Sequence, residues 1–505
     1  MPQLSGYTVI KILLTTKNQL IMSDSNHHGM HSFEGKNVLC SHHSFEEESF
    51  GRFGRMFREL SPLYNPPSTL SGLGKKDGPM NGGNSPKFTN SVPLGMVFFG
   101  QFIDHDITFD TSTSFSSINN PNEIENSRSA NLDLDSVFGG GPEDDPFLYK
   151  PREEGYYLLT ALSNNNIGQN QATEKNDLQR NGKETAIIGD PRNDENRVIS
   201  QMQLAFVRFY NANYKIMKDA NPGYSPEHLY EEARKTTTWH YQWIVVNEFL
   251  PMMCGKYLVA DILGNGRKFY KPVYSAFIPV EFSVAAFRFG HTMIAQKLKL
   301  QQDGEMKSIF SKEFGKGFSR LTSSDQAIEW NAFFDYGTDF QKAEKLDTTL
   351  APILLELPFV PSDDPNDKSL ATRNFRRGQS FLLPSGENVA RHMQREDSEI
   401  EQVVDFVNNK EKMVDVDLSA GIPLWYYVLA EAEVIGRQDS DTQFSSGEGL
   451  GPVGGRIVAE VLLGLLELDR ESFLGNNRDW VPTHGKKRVF TMKDLLEEAD
   501  KAYDL

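Results

Sequence analysis

The apolar positions of this chain fall into helical stripes separated by long polar stretches. In Pro93-Leu-Gly-Met-Val-Phe-Phe-Gly-Gln-Phe-Ile-Asp-His-Asp-Ile-Thr-Phe109, helical spacing puts Gln101, Asp104 and His105 on one face. Phe98, Phe99 and Phe102 crowd the same short segment with apolar bulk. Asp106 is turned about 100° from His105, toward a different neighbour. Val198, Met202, Phe206 and Phe209 form a second stripe, which predicts a helix with Arg192 and Glu195 at its mouth. Residues 226–263 read as helix-rich. In the segment 281–295, Phe287 and His291 stand at i and i+4, with Arg288 one turn before the histidine. Residues 369–378 read as a basic turn holding Asn374, residues 383–390 as a helix start, and 423–432 and 454–466 as packed helices.

The intervening stretches are polar. Residues 46–92, rich in Gly, Pro, Ser and Asn, read as extended coil wrapping a core. Residues 111–127 and 163–187 read as polar loops. Residues 1–45 carry His27, His28, His31, His42 and His43, and a solvated, flexible arm is expected there rather than a metal site. With no internal repeat, no Pro/Ser linker and no strand-rich region, the fold expected is mainly α. A single large helical domain over 46–505, with long loops and little strand, is the economical reading.

Composition narrows the function. At 505 residues with 38% hydrophobic content and 34 Phe, the chain can bury a sizeable core. A net charge of -17 with no compensating basic run disfavours nucleic acid as a partner. Two cysteines, Cys40 and Cys254, do not make a disulfide framework. No apolar run approaches the roughly 20 residues of a membrane span. The stretch 7–14 is too short and too broken by Lys11 for a signal peptide, so a soluble protein of open compartment is expected.

Two clusters have chemistry worth burying. Ser129, Asn131, Asp133 and Asp135 alternate, so in an extended loop their oxygens could converge on a hard cation such as calcium. The same pattern also suits a solvated turn, unless Asp106 adds a further carboxylate. Beside His291, Gly290 costs helix stability, about 1 kcal/mol against Ala, and clears space for a large flat object. A histidine on an apolar helix is otherwise an ordinary core residue.

The order of these motifs carries more than any one of them. Gly-Gln-Phe-Ile-Asp-His-Asp, Leu-Asp-Leu-Asp-Ser-Val-Phe-Gly, Gly-Asp-Pro-Arg-Asn-Asp-Glu, Phe-Arg-Phe-Gly-His-Thr and Arg-Asn-Phe-Arg-Arg-Gly follow one another along the chain. The sequence resembles the animal-type, myeloperoxidase-like haem peroxidases of the peroxidase–cyclooxygenase superfamily, in their microbial branch, over most of residues 45–480. The resemblance implies haem b and Ca2+ as cofactors. It makes His105 the distal histidine, Arg192 the distal arginine and Gln101 the distal glutamine. His291 becomes the ligand of the haem iron and Asn374 the acceptor for its other ring nitrogen. Arg288 pairs with a haem propionate, and Asp106, Ser129, Asn131 (through its carbonyl), Asp133 and Asp135 hold calcium. Asp104 and Glu195 match carboxylates that some members esterify to haem, an option the sequence leaves open. Asn196 stands where the myeloperoxidase-like subset has a methionine linked to a vinyl group.

The activity so implied is reduction of hydrogen peroxide via compound I, with oxidation of small aromatic donors, halide or thiocyanate, and a part in the response to oxidative stress. Without the methionine link, bromide, iodide or thiocyanate is expected in preference to chloride. The alternative, a fatty-acid dioxygenase of the same superfamily, would place a tyrosine three residues before the proximal histidine, where this chain has Arg288. A non-enzymatic haem carrier would have lost His105, Arg192 and Gln101, all of which remain. Oligomeric state is not legible.

Overall fold

The computed structural model describes residues 53–110, 117–161, 175–273, 275–314, 317–410, 416–485 and 488–502. The histidine-rich arm, Cys40 and much of both polar loops lie outside these. The helices of ten residues or more are, in chain order, α1 (Leu94–Ile107), α2 (Arg197–Ala220), α3 (Pro226–Ile244), α4 (Lys256–Asn265), α5 (Leu370–Ser380), α6 (Asp397–Asn409), α7 (Leu424–Val434), α8 (Pro452–Leu468) and α9 (Met492–Lys501). Among the described residues, strand is confined to short pieces that pair two at a time, such as Phe88–Pro93 with Lys342–Glu344. The mainly α expectation holds. No helix among the described residues is long and apolar enough to cross a membrane.

α1 is held from behind by aromatic rings. Phe102 stacks on Phe206 of α2 at 4.7 Å between centroids, and Phe99 meets Tyr241 of α3 edge-on at 5.9 Å. At the start of α1, Gly95 is obligatory, because a Cβ there would stand 2.4 Å from the Phe334 ring. α2 buries Val198, Met202, Phe206 and Phe209 completely, as their spacing predicts. Its first turn is capped by Asn196, whose side chain accepts from the Ile199 amide at 3.0 Å.

The stretch 226–263 is helical in pieces. α3 runs into a π turn at Val245–Phe249 and the short helix Leu250–Cys254, and the chain then breaks at Gly255. That glycine has φ +96°, and a Cβ on it would lie 2.1 Å from the Gln438 carbonyl oxygen. The histidine segment 281–295 is also less regular than its periodicity suggests: a π turn over Glu281–Ala285 leads into a 3-10 stretch over Ala286–Thr292. It is fixed by the buried carboxylate of Glu281, which accepts from the amides of Met56 and Phe57 at 2.9 and 3.2 Å.

Two expectations are corrected. The basic stretch 369–378 is not a turn but the body of α5, started by Ser369, whose hydroxyl accepts from the Thr372 amide at 3.2 Å. Ala371, Asn374 and Phe375 face inward while Arg373, Arg376 and Arg377 stay half-buried, so the helix is amphipathic despite its charge. The coil expected over 46–92 contains a helix, Pro67–Gly74, which packs against α5.

Because Phe102 is fully buried and stacked behind the functional face of α1, Phe102→Ala should destabilise the protein by about 3–5 kcal/mol. Urea unfolding should show this as a lower midpoint.

Candidate active site

On α1, Gly100, Gln101 and Asp104 keep partial exposure although their neighbours are buried, so this face fronts an internal cleft. His105 lies beside it, 5% exposed, and Asp106 is fully buried on the other side. Opposite α1 runs the 3-10 segment carrying Arg288 and His291, both also partly exposed within the interior. The two elements meet at Gly290, where a Cβ would stand 3.5 Å from Val97 Cγ1 and within 4 Å of no other residue outside its own segment. The fold therefore brings the elements that carry the two histidines against each other.

His105 is neutral. Burial pushes its pKa down to about 4, helped by the charge of Arg192. Its Nδ1 lies 2.8 Å from Asn193 Oδ1, and its Nε2 is 3.8 Å from Glu195 Oε1. Gln101 donates from Nε2 to that same Glu195 oxygen. Glu195 is pushed up to about 7, by burial above all.

Arg192 sits at the start of the turn Pro191–Asp194. Its Nη2 donates to the carbonyls of His105 (2.9 Å) and Thr108 (2.6 Å) and to Asp190 Oδ2 (2.7 Å), and its guanidinium lies 4.5 Å over the Phe109 ring. Nε is also taken by Asp190. Nη1 has no partner among the described residues. Burial raises the Asp190 carboxyl, but Arg192 hydrogen bonds and the Arg128 charge outweigh it and bring the pKa down to about 2.

His291 is neutral too, its pKa lowered to about 3 by burial and then by Arg288. Here the structure differs from the role expected of Asn374. The amide oxygen of Asn374 accepts from Arg288 Nη1 at 3.1 Å, so its nitrogen, not its oxygen, faces His291 Nδ1 at 3.0 Å. Asn374 thus donates where acceptance was expected. The cause is Arg288, which has no carboxylate partner among the described residues and takes the amide oxygen and the Ser283 carbonyl instead. Burial and the nearby Arg377 push its pKa down to about 10.

The acidic residues gather as expected. Asp106, Asp133 and Asp135 are buried, each with an oxygen within 4.8 Å of the others. Ser129 Oγ donates to Asp133 Oδ2 at 2.8 Å, and Asn131 is buried beside them. Burial and mutual repulsion raise the pKa of Asp106, and burial raises that of Asp135. The Tyr241 hydroxyl is buried against these acids, and Asp106 acts on it more strongly than Asp133 or Asp135. Asp104 holds Thr108, whose hydroxyl donates to its Oδ1 at 3.2 Å.

Sequence reading missed four residues. Asp190 grips Arg192, and Arg128 bridges Asp190 (2.6 Å) and Asp135 (3.3 Å). Asn193 and Gln203 stand behind His105. Asp190 and Asn193 lie inside the Gly-Asp-Pro-Arg-Asn-Asp-Glu motif, which is their sequence signal; Arg128 and Gln203 give none apart from being polar at buried positions.

Comparison with known proteins agrees with the geometry. The family model for animal haem peroxidase matches residues 110–412, more than half of the chain. A dual oxidase of Drosophila melanogaster is 29% identical over 206 residues, 39% of this chain and 13% of that protein. The chain spans well under half the length of the curated relatives it matches. Among solved structures, peroxidase A of Dictyostelium discoideum superposes with a TM-score of 0.57 at 14% identity, covering 90% of this chain and 94% of that one. A fatty acid alpha-dioxygenase of Oryza sativa gives 0.58 at 14% identity, covering 92% and 80%. These two likenesses concern the fold; the family model, matched over most of the helical body, makes this chain a member of the animal haem peroxidase family.

Proposed function

We propose that the protein is a peroxidase that reduces hydrogen peroxide and oxidises small organic donors or (pseudo)halides. The observation that carries this reading is the pair of neutral imidazoles, His105 and His291, on elements that touch at Gly290 and Val97. The donor set fits a haem. A neutral imidazole on each side suits a ligand and a proton acceptor, and a buried arginine without a carboxylate, Arg288, is what a propionate would satisfy. Turning the Asn374 amide over would present its oxygen to His291 Nδ1–H and release Arg288 at the same time. Both changes favour a ligating Nε2.

With His291 holding the iron and Arg288 a propionate, a bound haem would supply the metal and the oxidising equivalents. The chain's own residues handle protons and charge. His105 Nε2 takes a proton from peroxide and returns it to the departing oxygen, as a positioned acid–base group does. Arg192, with Nε and Nη2 anchored, keeps Nη1 for the negative charge that develops. Gln101 and Glu195 line the same space. Asn196, engaged as a helix cap, offers no sulfur for a vinyl link, which favours bromide, iodide or thiocyanate over chloride.

The acidic cluster fits calcium. Asp133 and Asp135 crowd Asp106 closely enough to help raise its pKa, and all the donors are hard oxygens. Ser129 Oγ and the Asn131 carbonyl would complete the set. Since Asp106 follows His105 directly, the ion would fix the end of α1.

The test is an absorption spectrum after haemin reconstitution, before and after one equivalent of peroxide. A Soret band that changes on addition is expected, and its absence in both spectra would end the proposal. His291→Ala should lose the band. His105→Ala should keep it while slowing the peroxide reaction by about 10²–10⁴-fold. Oxygen uptake with linoleate and no added peroxide would turn the reading toward dioxygenase.

Chelation of calcium should lower the melting temperature and slow the peroxide reaction before haem is lost; identical rates in verified calcium-free protein would contradict the assignment.

Glu195 sets a pH dependence in the haem-free protein. Unfolded, it titrates near its ordinary 4.5; folded, near about 7. Between those values the folded state holds a proton that the unfolded state has released, so stability falls as pH rises through this window. Glu195→Gln should flatten that decline when melting temperature is followed against pH.

A further inference from the structure

A neutral imidazole has two forms, and only the one protonated at Nδ1 leaves Nε2 able to accept a proton. His105 Nδ1 faces the side-chain amide of Asn193 at 2.8 Å, and an amide can either donate or accept there. Which it does is decided two contacts away. Gln203 Nε2 donates to the backbone carbonyl of Ser136 at 3.3 Å, and Gln203 Oε1 accepts from Asn193 Nδ2 at 2.8 Å. A peptide carbonyl can only accept. Gln203 must therefore turn its NH2 toward Ser136 and its oxygen toward Asn193. Asn193 must then turn its own NH2 toward Gln203 and its oxygen toward His105, so the imidazole must carry its proton on Nδ1.

Reversing any one link sets two donors or two acceptors against each other. Asn193, Gln203 and Ser136 are all fully buried, so water is not at hand to repair such a mismatch. The far end of the chain is itself fixed. The Ser136 hydroxyl donates to Asp106 Oδ1 at 3.0 Å. A Cβ at Gly189 would stand 2.7 Å from the Ser136 carbonyl oxygen, so a glycine keeps that space open.

We propose that Asn193 and Gln203 are positioning residues that, anchored on the Ser136 carbonyl, lock His105 in the Nδ1–H tautomer and hold Nε2 proton-free. Its catalytic meaning rests on the peroxidase reading above, but the tautomer is a property of the protein alone. Asn193 orients the imidazole by direct contact. Gln203 acts without touching it, which separates this role from simple packing around the histidine.

The test reads the tautomer first, in 15N-histidine-labelled protein without haem, with the His105 signals assigned by their loss in His105→Gln. The wild type should show a protonated Nδ1 and an unprotonated Nε2. Asn193→Leu and Gln203→Met should both populate the Nε2–H form, whereas Asn193→Asp, which keeps an acceptor against Nδ1, should keep Nδ1 protonated.

In haemin-reconstituted protein, association of hydrogen cyanide, which must give up its proton nearby, should slow by about tenfold or more in Asn193→Leu and Gln203→Met. If Asn193→Leu fails to fold, Gln203→Met makes the same prediction from a residue that does not touch the histidine. A wild-type proton on Nε2, or a Gln203→Met protein with His105 wholly in the Nδ1–H form, overturns the proposal. Failure to bind haem with the tautomers as expected would overturn the peroxidase reading and leave this one standing.

Discussion

Removing ionisable side chains from water is costly unless each is neutralised or paired, and that cost shapes this protein from the acidic cluster to the segment carrying His291. His105 and His291 meet it by staying neutral. Asp190 meets it by pairing, gripped by Arg128 and Arg192 together. Arg128 in turn reaches Asp135, so one buried run of charge joins the acidic cluster to the arginine of the cleft. Arg288 meets it only in part, hydrogen-bonded to an amide oxygen and a carbonyl while Asp104 and Asp110 act on it from beyond hydrogen-bond reach.

This arrangement depends on α1 holding its angle. One side of the helix is pressed on the rings of Phe206 and Tyr241, its end is tied through Asp106 to the Leu134 amide and the Ser136 hydroxyl, and its remaining face is left for the cleft. A helix gripped on two sides and open on the third presents Gln101, Asp104 and His105 with little freedom. The opposing segment achieves the same end by irregular means. Its π and 3-10 turns set His291 and Arg288 where a uniform helix would have rotated them elsewhere, and Glu281 pins the start of the distortion.

The relatives differ in chemistry while sharing this body. A peroxidase and a fatty acid alpha-dioxygenase superpose on the chain about equally well, so fold alone does not choose between them. The choice rests on side chains: Arg288 three residues before His291, and the retention of His105, Arg192 and Gln101 in one place.

The sequence by itself determined the helical stripes, because period survives in one dimension, and it singled out Asp106, Asp133 and Asp135, which the fold gathers. It misread α5 as a turn, since basic residues at half-buried positions hid the inward pair of Ala371 and Phe375. It also cast Asn374 as an acceptor toward His291, whereas the amide nitrogen faces the ring here. The direction in which an amide points depends on what its other end touches, and Arg288 is 86 residues away. Only the tertiary structure could decide that, just as only it could place Arg128 against Asp190 or Gln203 behind Asn193. Such contacts are set by packing between distant segments and leave no periodic trace along the chain.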